Sequence, residues 1–179
     1  MIMKKTVMIL IAFLLSILAL VGISVLASSP DETTEAGDLT YYAANCVDAS
    51  ATDPASAIME QSFNGTNFSR FDATAVGQYI TYVLTVPESS EYKVSVTLRV
   101  HGSCGIADLY INGEKYGEID NATGTPNALK TISLGKMTLK KGENTFKFVI
   151  TKPNPNPTES RVYFLNVMKF ELRVPKDPS

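Results

Sequence analysis

From Gly77 to Val100 apolar and polar residues alternate with a period of two. Ile80, Tyr82, Leu84 and Val86 share one parity, and Tyr92, Val94, Val96, Leu98 and Val100 share another. Thr81, Thr85, Lys93, Ser95, Thr97 and Arg99 fall between them and suit water. Successive side chains on a strand face opposite ways, so the pattern predicts two strands with one buried and one wet face. The intervening Pro-Glu-Ser-Ser reads as a turn that would make them an antiparallel pair.

The pattern continues along the chain. Leu39 to Cys46 and Ala57 to Phe63 are the first candidate strands. Ile106–Ile111 and Glu114–Glu118 flank Asn112-Gly113, a pair suited to a turn whose two central residues need positive φ, and so predict a hairpin. Ala128 to Leu134 is a further strand, and Met137 to Leu139 leads into the turn Lys140-Lys141-Gly142-Glu143. Asn144 to Thr151 places Phe146, Phe148 and Ile150 on one face. After the proline-rich loop of residues 152–159, the segment from Arg161 to Val174 places Phe164, Met168, Phe170 and Leu172 on one face. About nine short strands with turns between them, and no amphipathic helix after residue 28, predict an antiparallel β-sandwich.

The N-terminus has a different character. Lys4 and Lys5 precede an apolar run from Val7 to Leu26, and Val25-Leu26-Ala27 supplies a small-residue cleavage pattern. Residues 1–27 therefore read as a signal peptide or, uncleaved, as a membrane anchor. Either reading places the remainder outside the cytoplasm, secreted or tethered. Residues 28–38 are small, polar and acidic, a disordered leader by composition. The sandwich then occupies 39–174 and a tail 175–179.

Removing residues 1–27 takes two lysines and no acid, so the net charge moves from −2 to −4. A mildly acidic chain without a basic cluster is poorly suited to nucleic acid or anionic membrane. Export would permit a bridge between Cys46 and Cys104, the only two cysteines, with two separate thiols as the other reading. Those cysteines and the single His101 do not form a zinc pattern, and no metal or other cofactor is expected.

The stretch GQYITYVLTVPESSEYKVSVTLRV resembles a segment of the carbohydrate-binding modules of families 6 and 35. The likeness continues in order through LTYYAANC, LYINGEKYGEID, ALKTISLGKMTLKKGENTFKFVI and YFLNVMKFEL, covering about residues 39–173. The resemblance implies a jelly roll of the galactose-binding-like type that docks polysaccharide or glycan chains through loops at one end. It also implies a structural calcium held by acids of the first and last strands. Tyr42, Ala44 and Asn166 stand at the matching positions, so the charged oxygen ligands calcium favours are missing and that ion is not expected.

Candidate ligand-binding residues are Phe68 and Phe71 for stacking, Arg70 for orientation, and Asn154 and Asn156 for sugar hydroxyls. On that assignment Phe71→Ala removes binding and leaves the fold intact. The competing reading puts both phenylalanines inside the sandwich, where such side chains usually go. No pair of carboxylates is set apart for glycosidic chemistry, so the chain reads as a non-catalytic domain rather than an enzyme. The alternative is a structural or adhesive surface protein that uses the sandwich for protein–protein contacts. Asn64, Asn67 and Asn121 head N-glycosylation sequons.

Overall fold

The structure, a computed structural model, describes residues 37–175. The predicted signal or anchor segment, residues 28–36 of the leader and residues 176–179 lie outside them. The described region is an all-β sandwich of two antiparallel sheets.

Ten strands are present: β1 (Leu39–Tyr42), β2 (Ile58–Phe63), β3 (Thr66–Phe71), β4 (Tyr79–Val86), β5 (Ser90–Arg99), β6 (Ile106–Ile111), β7 (Glu114–Asp120), β8 (Leu129–Leu139), β9 (Gly142–Lys152) and β10 (Leu165–Arg173). One sheet runs β2-β3-β10-β5-β8, with β1 beside β10; the other runs β4-β9-β6-β7. β10 shares one edge between two partners, since Leu165–Val167 pair with β3 and Lys169–Leu172 with β1.

The alternation of β4 and β5 is as read: Ile80, Tyr82, Leu84, Tyr92, Val96 and Leu98 have no exposed surface. Their pairing is not. β4 bonds to β9, and β5 bonds to β10 and β8. The turn after Val86 carries the chain from one sheet to the other, and each strand turns its apolar side toward the space between. Thr81, expected in water, is buried because the segment from Cys46 to Asp53 runs along the free edge of β4. Its hydroxyl donates to the Ala51 carbonyl at 2.5 Å.

The Asn112-Gly113 hairpin forms as predicted, with φ of 49° and 86°. Asn64-Gly65 makes a second such turn, φ 51° and 75°, and creates β3, a strand not among those predicted. β8 continues past Leu134 to Leu139 through an irregularity at Gly135. In β10 the register against β5 slips at Met168, the residue left over between Val167 and Lys169. That bulge reverses parity. Leu165, Val167, Phe170 and Leu172 enter the core, and Phe164 and Met168 face away from it, contrary to the single face expected.

The core centres on aromatic contacts between sheets. Phe170 of one sheet lies with ring centroids 5.3 Å from Tyr82 and from Phe146, and 6.3 Å from Phe148, all of the other sheet. Burying each large ring supplies about 1.5–3 kcal/mol by area. The loops after β3, β5, β7 and β9 collect at one end. Val100 and Asn127–Ala128 exchange backbone bonds at 2.9 and 3.0 Å, and Phe164 donates to Ser103 at 2.9 Å.

Candidate functional site

Where those loops meet, β3, the end of β5, the β9–β10 loop and the start of β10 enclose a cavity of about 200 Å³. Arg70, Arg99, His101, Ser103, Glu159, Arg161, Phe164 and Asn166 line it. A second cavity of about 370 Å³, lined by Asp72–Thr74 and Ser160–Phe164, shares the wall formed by Arg161 and Phe164.

The wall is fixed by charge. Arg70 grips Asp72 through two bonds, Nε to Oδ1 at 2.5 Å and Nη2 to Oδ2 at 2.8 Å. Arg161 reaches the same carboxylate at 3.6 Å. Both guanidiniums lie over the Phe164 ring, at 5.3 and 5.5 Å from its centroid. On the rim, His101 Nδ1 is 2.8 Å from the Ser103 hydroxyl and Nε2 is 3.5 Å from Glu159.

The floor is formed by Asn166 and Arg99. Asn166, 1 % exposed, is held through its backbone N–H by Asn121 Oδ1 at 2.8 Å. Its Nδ2 lies 3.1 Å from Cys104 Sγ and 3.4 Å from the Arg99 carbonyl, which also accepts from Asn121 Nδ2 at 3.0 Å. Asn166 Oδ1 is left without a donor. Arg99 Nε is likewise buried and without an acceptor; these are the two such side-chain atoms among the described residues. A native fold rarely leaves buried polar atoms unpaired unless water, an ion or a ligand completes them.

The predicted site residues divide. Arg70 lies in the cavity wall, tied to Asp72 rather than free. Phe71 is fully buried and belongs to the core, and Phe68 is 1 % exposed beneath Arg99. Neither offers a face to a sugar, which corrects the stacking assignment. Asn154 is buried and closes its own loop: Nδ2 donates to the Gly102 carbonyl at 3.1 Å, and Oδ1 accepts from the Asn156 N–H at 2.8 Å. Asn156 is exposed on that loop, outside the cavity lining.

Arg99, Asn166, Phe164 and Arg161 were not singled out as ligand contacts. The available signal was a single amide in the otherwise apolar run Phe164–Met168, because a lone polar residue in such a strand must find partners.

The cysteines are free rather than bridged. Cys46 donates to the Tyr42 carbonyl at 3.4 Å, whereas Cys104 is buried against Asn166. Burial pushes the Cys104 thiol up to about 12. Asn121 has no exposed surface, so its sequon is closed in the folded protein, whereas Asn64 and Asn67 lie at the exposed β2–β3 hairpin.

The residues present do not suit the calcium the resemblance implies. Asn166 spends its amide on Arg99 and Cys104, Tyr42 is 48 % exposed, and neither position brings a carboxylate. Among the described residues no group of three or more His, Cys, Asp or Glu is placed to hold a metal ion.

No protein-family model and no curated protein matches the chain. Solved structures do. A family 35 carbohydrate-binding module from Clostridium thermocellum is matched over its whole length and 78 % of this chain, at 14 % identity and TM-score 0.52. A Podospora anserina β-(1,4)-mannanase with a family 35 module is matched over 80 % of this chain at 15 % identity and TM-score 0.53. A Paenibacillus xanthan lyase is matched over 78 % at 22 % identity and TM-score 0.55. The chain spans 28 % of the mannanase and 12 % of the lyase. The fold is thus the jelly roll seen in the family 35 carbohydrate-binding module.

Proposed function

We propose that this is a non-catalytic glycan-binding domain that docks its ligand in the loop-end cavity floored by Asn166 and Arg99. The observation that carries this reading is that Asn166 and Arg99, which line one cavity in this fold, are the two described residues with a buried side-chain atom left unpartnered, Oδ1 and Nε. Sugar hydroxyls both donate and accept, so a bound ring satisfies such atoms. Phe164 supplies limited apolar contact, consistent with a polar mode of recognition. The N-terminal segment supports an exported protein, secreted or held at the membrane by residues 1–27.

A glycan-array screen of residues 28–179, which contain the whole two-sheet core, tests the reading. Reproducible binding to one glycan class, lost in Asn166→Ala with the fold retained, is expected. Silence from folded protein contradicts it.

A second reading, a surface protein that docks other proteins, draws on the opposite end. There Tyr116, 45 % exposed, lines a groove of about 620 Å³ with Lys136 and Lys140, between the open edges of β7 and β8. It predicts array silence together with protein binding that Tyr116→Ala removes.

A further inference from the structure

An Asn-Gly step occurs twice in the chain, at Asn64-Gly65 and at Asn112-Gly113, and both form an exposed hairpin turn with positive φ at each position. The two asparagine side chains are not held alike. Asn112 Oδ1 accepts the Thr145 N–H at 2.8 Å, and its Nδ2 donates to Asn144 Oδ1 at 3.0 Å. Asn144 is 1 % exposed and donates in turn to the Lys140 carbonyl at 2.8 Å, so the Asn112 amide is anchored in a fixed network. Among the described residues no group bonds to the Asn64 side chain or to the Gly65 N–H. Space around Gly65 is open, since a Cβ built there would meet nothing within 4 Å.

We infer that Asn64 is a site of self-modification, turned into an acid by attack of its own neighbour, and that Asn112 is protected by its bonds. The Gly65 backbone nitrogen attacks Asn64 Cγ, which is reached by simple rotation of a free side chain. Glycine leaves that nitrogen unshielded because it carries no Cβ. An N–Cγ bond forms and the Cγ–Nδ2 bond breaks. Nδ2 departs as ammonia, taking the proton that the Gly65 nitrogen gives up. Water then opens the cyclic imide. Cleavage at Cγ yields aspartate, and cleavage at the backbone carbonyl yields β-aspartate. Water is the sole co-reactant, and either product puts a negative charge where a neutral amide stood.

The change falls beside the loop-end cavity. Phe63, the residue before Asn64, has its ring centroid 4.8 Å from the Arg99 guanidinium, and Arg99 lines that cavity. Phe63 also pairs with Thr66 across the turn. β-Aspartate routes the main chain through the side-chain carbons and so lengthens a turn that joins these two residues directly. Conversion also abolishes the sequon that Asn64 heads.

The test follows folded protein over time in mildly alkaline buffer, by peptide mapping with mass spectrometry and by labelling with an isoaspartyl methyltransferase. Aspartate and β-aspartate should accumulate at Asn64, faster as pH rises, with ammonia released in matching amount. Asn112 should convert about tenfold or more slowly, since both of its bonds must first be given up. In urea sufficient to unfold the chain the two sites should convert at similar rates, because the bonds that protect Asn112 are gone. The β-aspartate form should melt below an Asn64→Asp variant, since it alone lengthens the turn.

An intact Asn64 in folded protein, over a period in which the unfolded chain converts, overturns the assignment. Equal rates at Asn64 and Asn112 in folded protein, or an undiminished difference in urea, overturn the protective role of the Asn112 bonds. Equal melting of the β-aspartate form and Asn64→Asp overturns the effect on the hairpin.

Discussion

The side-chain oxygen of Asn121 accepts the backbone N–H of Asn166 at 2.8 Å, joining the end of β7 to the start of β10 across 45 residues of sequence. Its Nδ2 donates at the same time to the Arg99 carbonyl. One buried amide thus links the two cavity-lining residues that each keep an unpartnered buried atom. Asn121→Ala orphans a buried donor and removes one bond from a buried acceptor. The expected loss of stability is about 1–3 kcal/mol. It should be read as a lower urea midpoint at unchanged slope.

Phe71 separates packing from binding. It lies in the shared core with no exposed surface. Phe71→Ala is therefore expected to cost about 3–5 kcal/mol, as for other buried aromatic truncations. Calorimetric unfolding checks this. Unchanged stability with lost ligand binding would restore Phe71 to the ligand site.

The alkaline limit of stability should involve Cys104. Its folded pKa is raised by burial from 9.0 to about 12. Above pH 9 the unfolded thiol releases its proton and the folded one keeps it. The stabilisation is therefore complete below about pH 9 and is lost as pH rises toward 12. Fully buried Tyr82 is raised by desolvation and acts in the same direction. Urea midpoints measured from pH 8 to 11 should fall, and more shallowly in Cys104→Ala. Thiol titration should find Cys104 unreactive until denaturant is added.

Gly105 has no room for a side chain. A Cβ there would meet the Lys152 carbonyl oxygen at 2.7 Å and that of Val162 at 3.1 Å, both backbone. Gly105→Ala must therefore push the β5–β6 loop away from the β9–β10 loop, the two segments that carry His101 and Arg161. A fall in melting temperature together with weakened ligand binding is expected. A variant with parental values for both would contradict this packing.

Much of the fold is legible in the residues, for a simple reason. Ile80–Val86 and Phe146–Ile150 alternate because each strand buries one face, and that signal is local. Partner choice is not local. Alternation at Gly77–Val100 is the same whether the strands pair in a hairpin or, as here, cross between sheets. The bulge at Met168 is equally silent, since one leftover residue in an apolar run changes which side chains face inward without changing composition. β3 was within reach. Asn64-Gly65 is the same turn chemistry as Asn112-Gly113, but the polar residues Asn67, Ser69 and Arg70 obscured the strand behind it.

The binding site was harder to read than the fold. Aromatic residues in a polar context suggested a platform at Phe68 and Phe71, yet both rings are covered. The cavity residues come from three separated segments, at positions 70–74, 99–103 and 159–166. No spacing in the sequence joins them. Only Asn166, an amide among apolar neighbours, announced a polar demand inside the fold.

The most direct measurement of the central claim is an amide and side-chain NMR titration of residues 28–179 with an oligosaccharide of the class that binds on the array, followed residue by residue. The account predicts that the largest shifts fall on the cavity-lining residues Arg99, Asn166, His101 and Arg161, with the groove at Tyr116 and Lys136 unmoved. Saturable shifts confined to that far groove, or to an outer sheet face, with Arg99 and Asn166 unchanged, would contradict it.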